Sequence, residues 1–277
     1  MTSRAAAVEP HPYRRFEHAG WQTAAARYPS SFAHATAAYA DMLLDAVGAG
    51  SGTRLLDVAC GSGVVTAAAL RRGCVVAGVD FSPAMLAEAR QQAPDATFHE
   101  ADAEALPLPG ASVDAVVSNF GLHHFPFPAR ALAEAHRVLR PGGRLAATVW
   151  AAPEANLAWR ILFDALAAHG DPAIDLPTAP LGRLNRTDDC ARLARDAGFD
   201  AKRILARIVD ADWPLAAPAE LVDGFLAGTV RMAALIAAQT ADARAKIRAA
   251  VADAVGAHAC DGGYRVPTAA ILVTAVR

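Results

Sequence analysis

Residues Leu55–Gly63 read L-L-D-V-A-C-G-S-G, and this stretch decides the fold. The apolar run around Asp57 is typical of a buried β-strand, and the small residues after it allow a sharp turn into a helix. Gly61 and Gly63 let backbone N–H groups approach a ligand closely, and the N-terminus of a helix favours a bound carboxylate or phosphate. The turn departs from the dinucleotide-binding pattern G-x-G-x-x-G, because Thr66 stands where the third glycine would fall.

Short apolar runs alternate with helical stretches from this turn as far as Trp150. One helix is expected to start at Ser82-Pro83, because serine caps free N–H groups and proline suits the first helical position. This alternation predicts a parallel, doubly wound sheet. The predicted elements are strands at Thr53–Val58, Cys74–Val79, Thr97–Glu100, Val113–Ser118 and Arg144–Trp150, and helices at Gly63–Arg72 and Pro128–Leu139.

The flanks of this region have a different pattern. Residues 1–50 are predicted to form an N-terminal helical cap segment, and residues 51–150 form the predicted ligand-binding core. Residues 151–277 are expected to add the last helices and strands of the core, with strands at Lys202–Asp210 and Arg265–Val276. Helical segments at about 151–185 and 215–258 are interpreted as a lid inserted over the carboxyl edge of the sheet.

Polar side chains stand where the predicted strands end. Asp80 follows the second strand, 17 residues beyond Gly63, where a carboxylate can accept both hydroxyls of a ribose. Asp102 follows the third strand, and the fourth runs into Ser118–Phe125, S-N-F-G-L-H-H-F. Because these ends fall at one edge of a doubly wound sheet, they predict a ligand site there.

Taken together, five segments resemble the successive motifs of class I S-adenosylmethionine-dependent methyltransferases. They are Asp57–Gly63, Val79–Ser82, Ala101–Leu106, Asn119–His124 and Leu139–Gly143. The resemblance is greatest to the ubiquinone/menaquinone-type group of small-molecule enzymes. It implies a doubly wound, mostly parallel seven-stranded sheet, the Rossmann-like methyltransferase fold, with a helical cap. It also implies S-adenosyl-L-methionine as the cofactor.

The resemblance implies a role for each part of the edge. Asp57 and the backbone of Ala59–Gly63 would hold the methionine portion of the cofactor, and Asp80 would take the ribose hydroxyls. Asn119 would close the pocket beneath the methionine group. Ala59 stands where many family members have glycine, which puts the conformation of the turn in question.

The adenine end is assigned in the same way. Phe81 and Met85 would pack near the adenine, while the Asp102 carboxylate and the Ala103 amide would bind its edge. Aromatic rings close a pocket while offering a polar tip, so Trp21 and Tyr28 are added as candidates. The full set of predicted cofactor-binding positions is Asp57, Ala59, Cys60, Gly61, Gly63, Asp80, Phe81, Met85, Asp102, Ala103, Asn119, Trp21 and Tyr28.

Methyl transfer from a sulfonium depends mainly on alignment of the reactants and exclusion of water. Where the acceptor is a hydroxyl or an amine, a positioned base helps. The candidate bases are His124 and His123, because the unperturbed pKa of histidine suits this task. His124 is preferred of the two. The tryptophans at positions 150, 159 and 213 are assigned to packing in the lid.

Composition limits the partners. The chain of 277 residues has a formal net charge of −2 and no long basic run, so nucleic acid and an anionic membrane are not expected. No apolar run has the length of a membrane-spanning helix, and the four cysteines form no C-x-x-C pair, which argues against a zinc or iron–sulfur site. A small-molecule substrate and a cytoplasmic location are expected, and a homodimer is left open.

Three other functions compete with this interpretation. A nicotinamide-dependent oxidoreductase would share the fold and the ribose carboxylate, but the missing third glycine argues against it. A non-catalytic protein that binds the same cofactor would share the whole pocket. A methyltransferase for proteins or nucleic acids is disfavoured by the charge balance.

Overall fold

The computed structural model describes residues 11–180, 182 and 184–277, so residues 1–10 of the predicted cap segment lie outside the described residues. The strands are β1 (Arg54–Val58), β2 (Val75–Asp80), β3 (Thr97–Glu100), β4 (Val113–Asn119), β5 (Leu139–Trp150), β6 (Leu205–Leu215), β7 (Ala259–Cys260) and β8 (Gly263–Val276). The α-helices are α1 (Pro12–Ala24), α2 (Ala33–Ala37), α3 (Ala40–Val47), α4 (Val64–Arg71), α5 (Pro83–Gln92), α6 (Pro128–Val138), α7 (Leu157–His169), α8 (Thr187–Asp196), α9 (Glu220–Gly228), α10 (Arg231–Ala237) and α11 (Ala241–Gly256).

The strands form one sheet in the order β3-β2-β1-β4-β5-β8-β6, and the two-residue β7 pairs with β8 beside this path. Strands β1 to β5 are parallel, whereas β8 runs antiparallel to both β5 and β6. The strand order reverses between β1 and β4, which is the position where doubly wound folds bind ligands. The predicted doubly wound, mostly parallel fold is confirmed.

Both faces of the sheet are covered by apolar side chains. Leu56 and Val116 belong to one buried cluster, and their chain neighbours Leu55 and Ala115 belong to another. Neighbouring residues of a strand point to opposite faces, so the apolar runs of β1 and β4 supply both layers at once. A strand buried on both faces needs such a continuous apolar run.

A third apolar cluster lies in the helices that follow β5. It includes Leu162 of α7, Phe225 of α9, Ile236 of α10 and Val251 of α11, each almost completely buried. Within the described residues, no helix combines the length and the apolar character that a membrane crossing requires.

The predicted strand Lys202–Asp210 is displaced along the chain. The observed strand β6 begins at Leu205 and continues to Leu215, because Trp213 and Leu215 are buried and pair with β8. Pro214 is tolerated there because β6 is an edge strand of the sheet.

Candidate functional site

A cavity of about 420 Å³ lies at the carboxyl edge of the sheet. Its floor is formed by the ends of β1, β2 and β4. Its walls include residues of α1, of α7 and of the start of α10, together with Thr178, Ala179, Gly182, Leu184 and Asn185. A small recess adjoins it, lined by residues that follow β2 and β3 together with Arg14 of α1. The edge predicted from the sequence is therefore the edge that carries the cavity.

The turn after β1 exposes backbone donors. Ala59, Gly61 and Gly63 all have positive φ angles, of 55°, 52° and 87°. Gly63 precedes α4 without a side-chain cap, which leaves the N–H groups in the first turn of α4 without side-chain acceptors, although Gly63 itself does not line the cavity. Ser62 in this turn is 1% exposed, and its hydroxyl has no hydrogen-bond partner among the described residues.

Asp57 and Cys60 lie beneath the turn and do not line the cavity. The Asp57 carboxylate is 1% exposed and accepts a hydrogen bond of 2.7 Å from the hydroxyl of Thr66. Burial raises the pKa of Asp57 to about 7, and the hydrogen bond from the Thr66 hydroxyl partly opposes this rise. Cys60 is buried, and its N–H donates to the carbonyl of Val79.

Asp80 lies at the junction of the cavity and the recess. One of its carboxylate oxygens accepts the N–H of Gly61, and the other accepts the N–H of Ser82, both at 2.9 Å. Burial raises the pKa of Asp80, whereas these backbone donors lower it. Each oxygen keeps a lone pair that can accept one more hydrogen bond.

The residues assigned to adenine are divided between the two spaces. Phe81, Asp102 and Ala103 line the recess, whereas Met85 lines the larger cavity with Phe81. Asp102 is paired with Arg14 of α1 at 3.0 Å. The N–H of Ala103 donates to no acceptor within the described part of the chain, so it is free for a ligand.

The end of β4 supplies Asn119 and Phe120. The Asn119 side chain donates to the carbonyl of Thr36 at 3.0 Å and accepts from the hydroxyl of Thr148 at 2.7 Å, which joins β4 to β5 and α2. Phe120 has a φ of 58°, and its ring stacks on Trp150 at 3.9 Å. Positive φ in a bulky residue is strained backbone, and such strain concentrates at functional sites.

His123 and His124 both line the cavity but differ in their surroundings. Burial lowers the pKa of His123 well below its usual range, so its ring is neutral. The Nδ1 atom of His124 lies 2.8 Å from the Oε2 atom of Glu17 on α1, and this carboxylate is 1% exposed. His124 is thus the histidine with an acidic partner.

Trp21 and Tyr28 also line the cavity. The indole N–H of Trp21 donates to the same Oε2 atom of Glu17 at 3.1 Å, and the Trp21 ring meets His124 edge-on at 5.0 Å. The Tyr28 hydroxyl pairs with the hydroxyl of Thr36 at 3.0 Å, and burial raises the pKa of Tyr28 to about 12.

The sequence interpretation missed several residues of the cavity wall. Trp150 and Trp159, assigned to lid packing, line the cavity instead: Trp150 ends β5 at the same edge as the other parallel strands, and Trp159 lies on the following helix α7. Trp213 is buried in the helical cluster, as expected. Glu17 and Arg231 also line the cavity, and the sequence assigned them no role. The spacing of Glu17 and Trp21, four residues apart on a helix, places both on one face and could have indicated Glu17.

Comparison with known proteins agrees with this geometry. Residues 56–147 match the family model described as a methyltransferase domain. A demethylmenaquinone methyltransferase of Renibacterium salmoninarum is 42% identical over 112 residues, which are 40% of this chain and 47% of that protein. The predicted class I methyltransferase domain is confirmed. The chain spans about half the length of the curated relatives that it matches.

Two solved structures share the fold over most of the chain. The structure of a geranyl diphosphate methyltransferase in complex with SAM has a TM-score of 0.50 at 22% identity and covers 87% of this chain and 85% of its own. The structure of the [4+2]-cyclase SpnF has a TM-score of 0.52 at 26% identity and covers 86% of this chain and 80% of its own.

Proposed function

We propose that this protein is an S-adenosyl-L-methionine-dependent methyltransferase that acts on a small molecule. One observation carries the proposal: the uncapped N-terminus of α4, the Asp80 carboxylate and the free N–H of Ala103 succeed one another along one edge of the sheet. This series provides an anion site, a hydroxyl acceptor and an amide donor, which suit an amino-acid carboxylate, a ribose and an adenine edge.

The residues present fit the cofactor at each part. The turn after β1, of which Ala59 and Gly61 line the cavity, would hold the methionine portion at the N-terminus of α4, and Asp80 would accept from the ribose hydroxyls. Phe81 would pack on the adenine while Ala103 donates to its edge. Asp57 supports the turn through Thr66 rather than from the cavity wall, so its role in binding is indirect.

When bound, the cofactor would supply a methyl group from its sulfonium: the acceptor atom would bond to the methyl carbon as the carbon–sulfur bond breaks, and S-adenosylhomocysteine would be the leaving group. The aromatic walls around Trp150 and Trp159 exclude water and align a flat acceptor, and alignment can contribute on the order of 7–11 kcal/mol at best. For a hydroxyl or amine acceptor, His124 would take the proton on Nε2, since Glu17 holds Nδ1. The lowered pKa of His123 makes it the weaker base.

The test separates cofactor binding from methyl transfer. We expect S-adenosylhomocysteine to raise the melting temperature of the purified chain and NADH to leave it unchanged. Incubation with methyl-labelled cofactor and a metabolite extract should then give a labelled small molecule, identified by mass spectrometry. Stabilisation by NADH instead would overturn the proposal in favour of an oxidoreductase.

A second candidate function is a reaction other than methyl transfer in the same pocket. It is favoured by the similarity to a structure named as a [4+2]-cyclase. Binding of S-adenosylhomocysteine without any labelled product would support it. A cytoplasmic location and a homodimer stay predictions from the sequence.

A further inference from the structure

One part of the cavity wall combines aromatic rings with a single cation. Its walls include the rings of Trp159 and Phe163 and the side chain of Met232, and Arg231 lies among them at the start of α10. No other lysine or arginine lines this cavity among the described residues. Flat apolar walls with one cation select a flat ligand that carries a negative charge.

The guanidinium of Arg231 is held in place but not neutralised. Its Nη1 atom donates to the carbonyl of Leu176, at 3.0 Å, and to that of Pro177. No carboxylate of the described chain lies within ion-pair distance of it, and its Nε and Nη2 atoms donate to no protein acceptor there. These two atoms form the edge of the guanidinium that binds a carboxylate through two parallel hydrogen bonds.

The position of Arg231 is related to that of the two histidines through Tyr13. Its positive charge opposes the rise in the pKa of Tyr13 that burial causes, so the guanidinium lies near this ring. The Tyr13 hydroxyl in turn donates to the carbonyl of His123 at 2.8 Å. A ligand anchored on Arg231 would therefore extend past the loop that carries His124.

We propose that Arg231 is the anchor of the acceptor subsite and that the acceptor is an aromatic acid, with its carboxylate on the free edge of the guanidinium and its ring between the aromatic walls. This inference rests on the proposed methyltransferase function and names its substrate class. The anchored carboxylate is held away from the reacting atom, so the methyl group goes to another position of the ring system.

The test compares two probes that differ only in charge, 2-naphthoate and 2-naphthamide, titrated calorimetrically into the full chain saturated with S-adenosylhomocysteine. We expect the acid to bind at least about tenfold more tightly than the amide, because an unpaired guanidinium donates two charge-assisted hydrogen bonds to it. In Arg231→Met this preference should disappear while the affinity for S-adenosylhomocysteine is retained. Arg192→Met, which removes an exposed arginine on α8, should behave like the parent.

The methionine variant also loses the hydrogen bonds from Arg231 to the carbonyls of Leu176 and Pro177, which could loosen that loop. Arg231→Lys serves as a second variant, because lysine keeps the positive charge but cannot form two parallel hydrogen bonds with a carboxylate. It should retain part of the preference for the acid. Equal binding of acid and amide by the parent, no binding of the acid, or an undiminished preference in both variants would overturn the inference. Titration of the parent protein with S-adenosylhomocysteine comes first. If the parent does not bind it, the proposed methyltransferase function is wrong; if the parent binds it but does not prefer the acid, only the inference about Arg231 is wrong.

Discussion

The Nδ1 atom of His124 lies 2.8 Å from the Oε2 atom of Glu17, although the two residues are 107 positions apart in the chain. With this geometry, the tautomer of His124 that donates from Nδ1 to Glu17 leaves Nε2 as the acceptor on the other side of the ring. Trp21 donates to the same carboxylate oxygen and fixes it from the other side. We therefore expect Glu17 to position the His124 ring.

Replacement of Glu17 by glutamine should slow methyl transfer without weakening cofactor binding. The amide oxygen can still accept a hydrogen bond from Nδ1, but the negative charge beside the ring is lost. Since a positioned base contributes about 10²–10⁴-fold, we expect turnover to fall by at least about tenfold. Rates with the acceptor found in the extract and calorimetry with S-adenosylhomocysteine measure the two effects separately.

Coupling distinguishes this role from simple packing. His124→Ala should slow turnover more than it weakens cofactor binding, and the double variant with Glu17→Gln should be no slower than His124→Ala alone. Glu220→Gln, at an exposed carboxylate that accepts the N–H of Ala216, serves as the control. Additive losses in the double variant, or full activity of Glu17→Gln, would show that Glu17 does not act through His124.

Asp80 is the residue whose removal should most weaken cofactor binding. Asp80→Asn keeps an acceptor but loses the charge, and Asp80→Ala loses both. At about 1.5–3 kcal/mol for each hydrogen bond to a charged group, loss of two ribose contacts predicts a drop of at least about 100-fold in affinity for the alanine variant. Calorimetry with S-adenosylhomocysteine measures it, and Asp223→Asn on the surface is the control. Unchanged affinity in Asp80→Ala would exclude the ribose contact.

Much of this site follows from local sequence. Parallel strands bring their carboxyl ends to one edge, so the residues after β1, β2 and β4 had to meet once those strands were recognised. Asp80 and Asn119 line the cavity for that reason. The succession of parallel strands thus predicts both the edge and the polar groups on it.

The rest depends on contacts between distant elements. Local spacing relates Glu17 only to Trp21 on the same helix. How α1 and α10 lie against the sheet edge is fixed by helix packing, so the positions of Glu17 and Arg231 there depend on distant contacts. The orientation of the Asp57 side chain could not be predicted from the sequence either. Its carboxylate accepts a hydrogen bond from Thr66, nine positions further on, instead of facing the cavity. An acidic residue at a strand end predicts the neighbourhood of a ligand but not contact with it.

The pKa of Asp57 predicts a pH dependence of stability. In the unfolded chain its pKa is close to 3.8, whereas burial raises it to about 7 in the folded protein. Between these values the folded state holds a proton that the unfolded state lacks, so the contribution of Asp57 to the free energy of unfolding falls as pH rises. The fall is about 1.4 kcal/mol per pH unit within this window.

Asp57→Asn removes the titrating group but keeps an acceptor for Thr66. The variant's free energy of unfolding minus that of the parent should therefore increase with pH from about 4 and level off above about 7. Urea unfolding at a series of pH values measures this difference. A difference that stays constant with pH would show that Asp57 is not buried as a carboxyl group.

Strain in the backbone at Ala59 and at Ala111 gives a matched pair of predictions. Both alanines have positive φ angles, 55° and 52°, but Ala59 lines the cavity whereas Ala111 is exposed in another loop. Substitution by glycine relieves about 1–2 kcal/mol of strain in the folded state. It also lowers the free energy of unfolding by about 0.4–1 kcal/mol, because the unfolded chain gains conformational freedom. Each substitution by glycine should thus raise the free energy of unfolding slightly, by about 0.5–1 kcal/mol.

Urea unfolding of Ala59→Gly and Ala111→Gly measures these gains, and Ala250→Gly inside α11 should instead lose about 1 kcal/mol. The two sites differ in one respect, because the methyl group of Ala59 lies against Gly121: a Cβ atom placed on Gly121 would come within 2.9 Å of it. If Ala111→Gly is stabilised but Ala59→Gly is not, that contact outweighs the relief of strain. Ala59 would then hold the turn after β1 against the loop after β4, and its replacement should also weaken binding of S-adenosylhomocysteine.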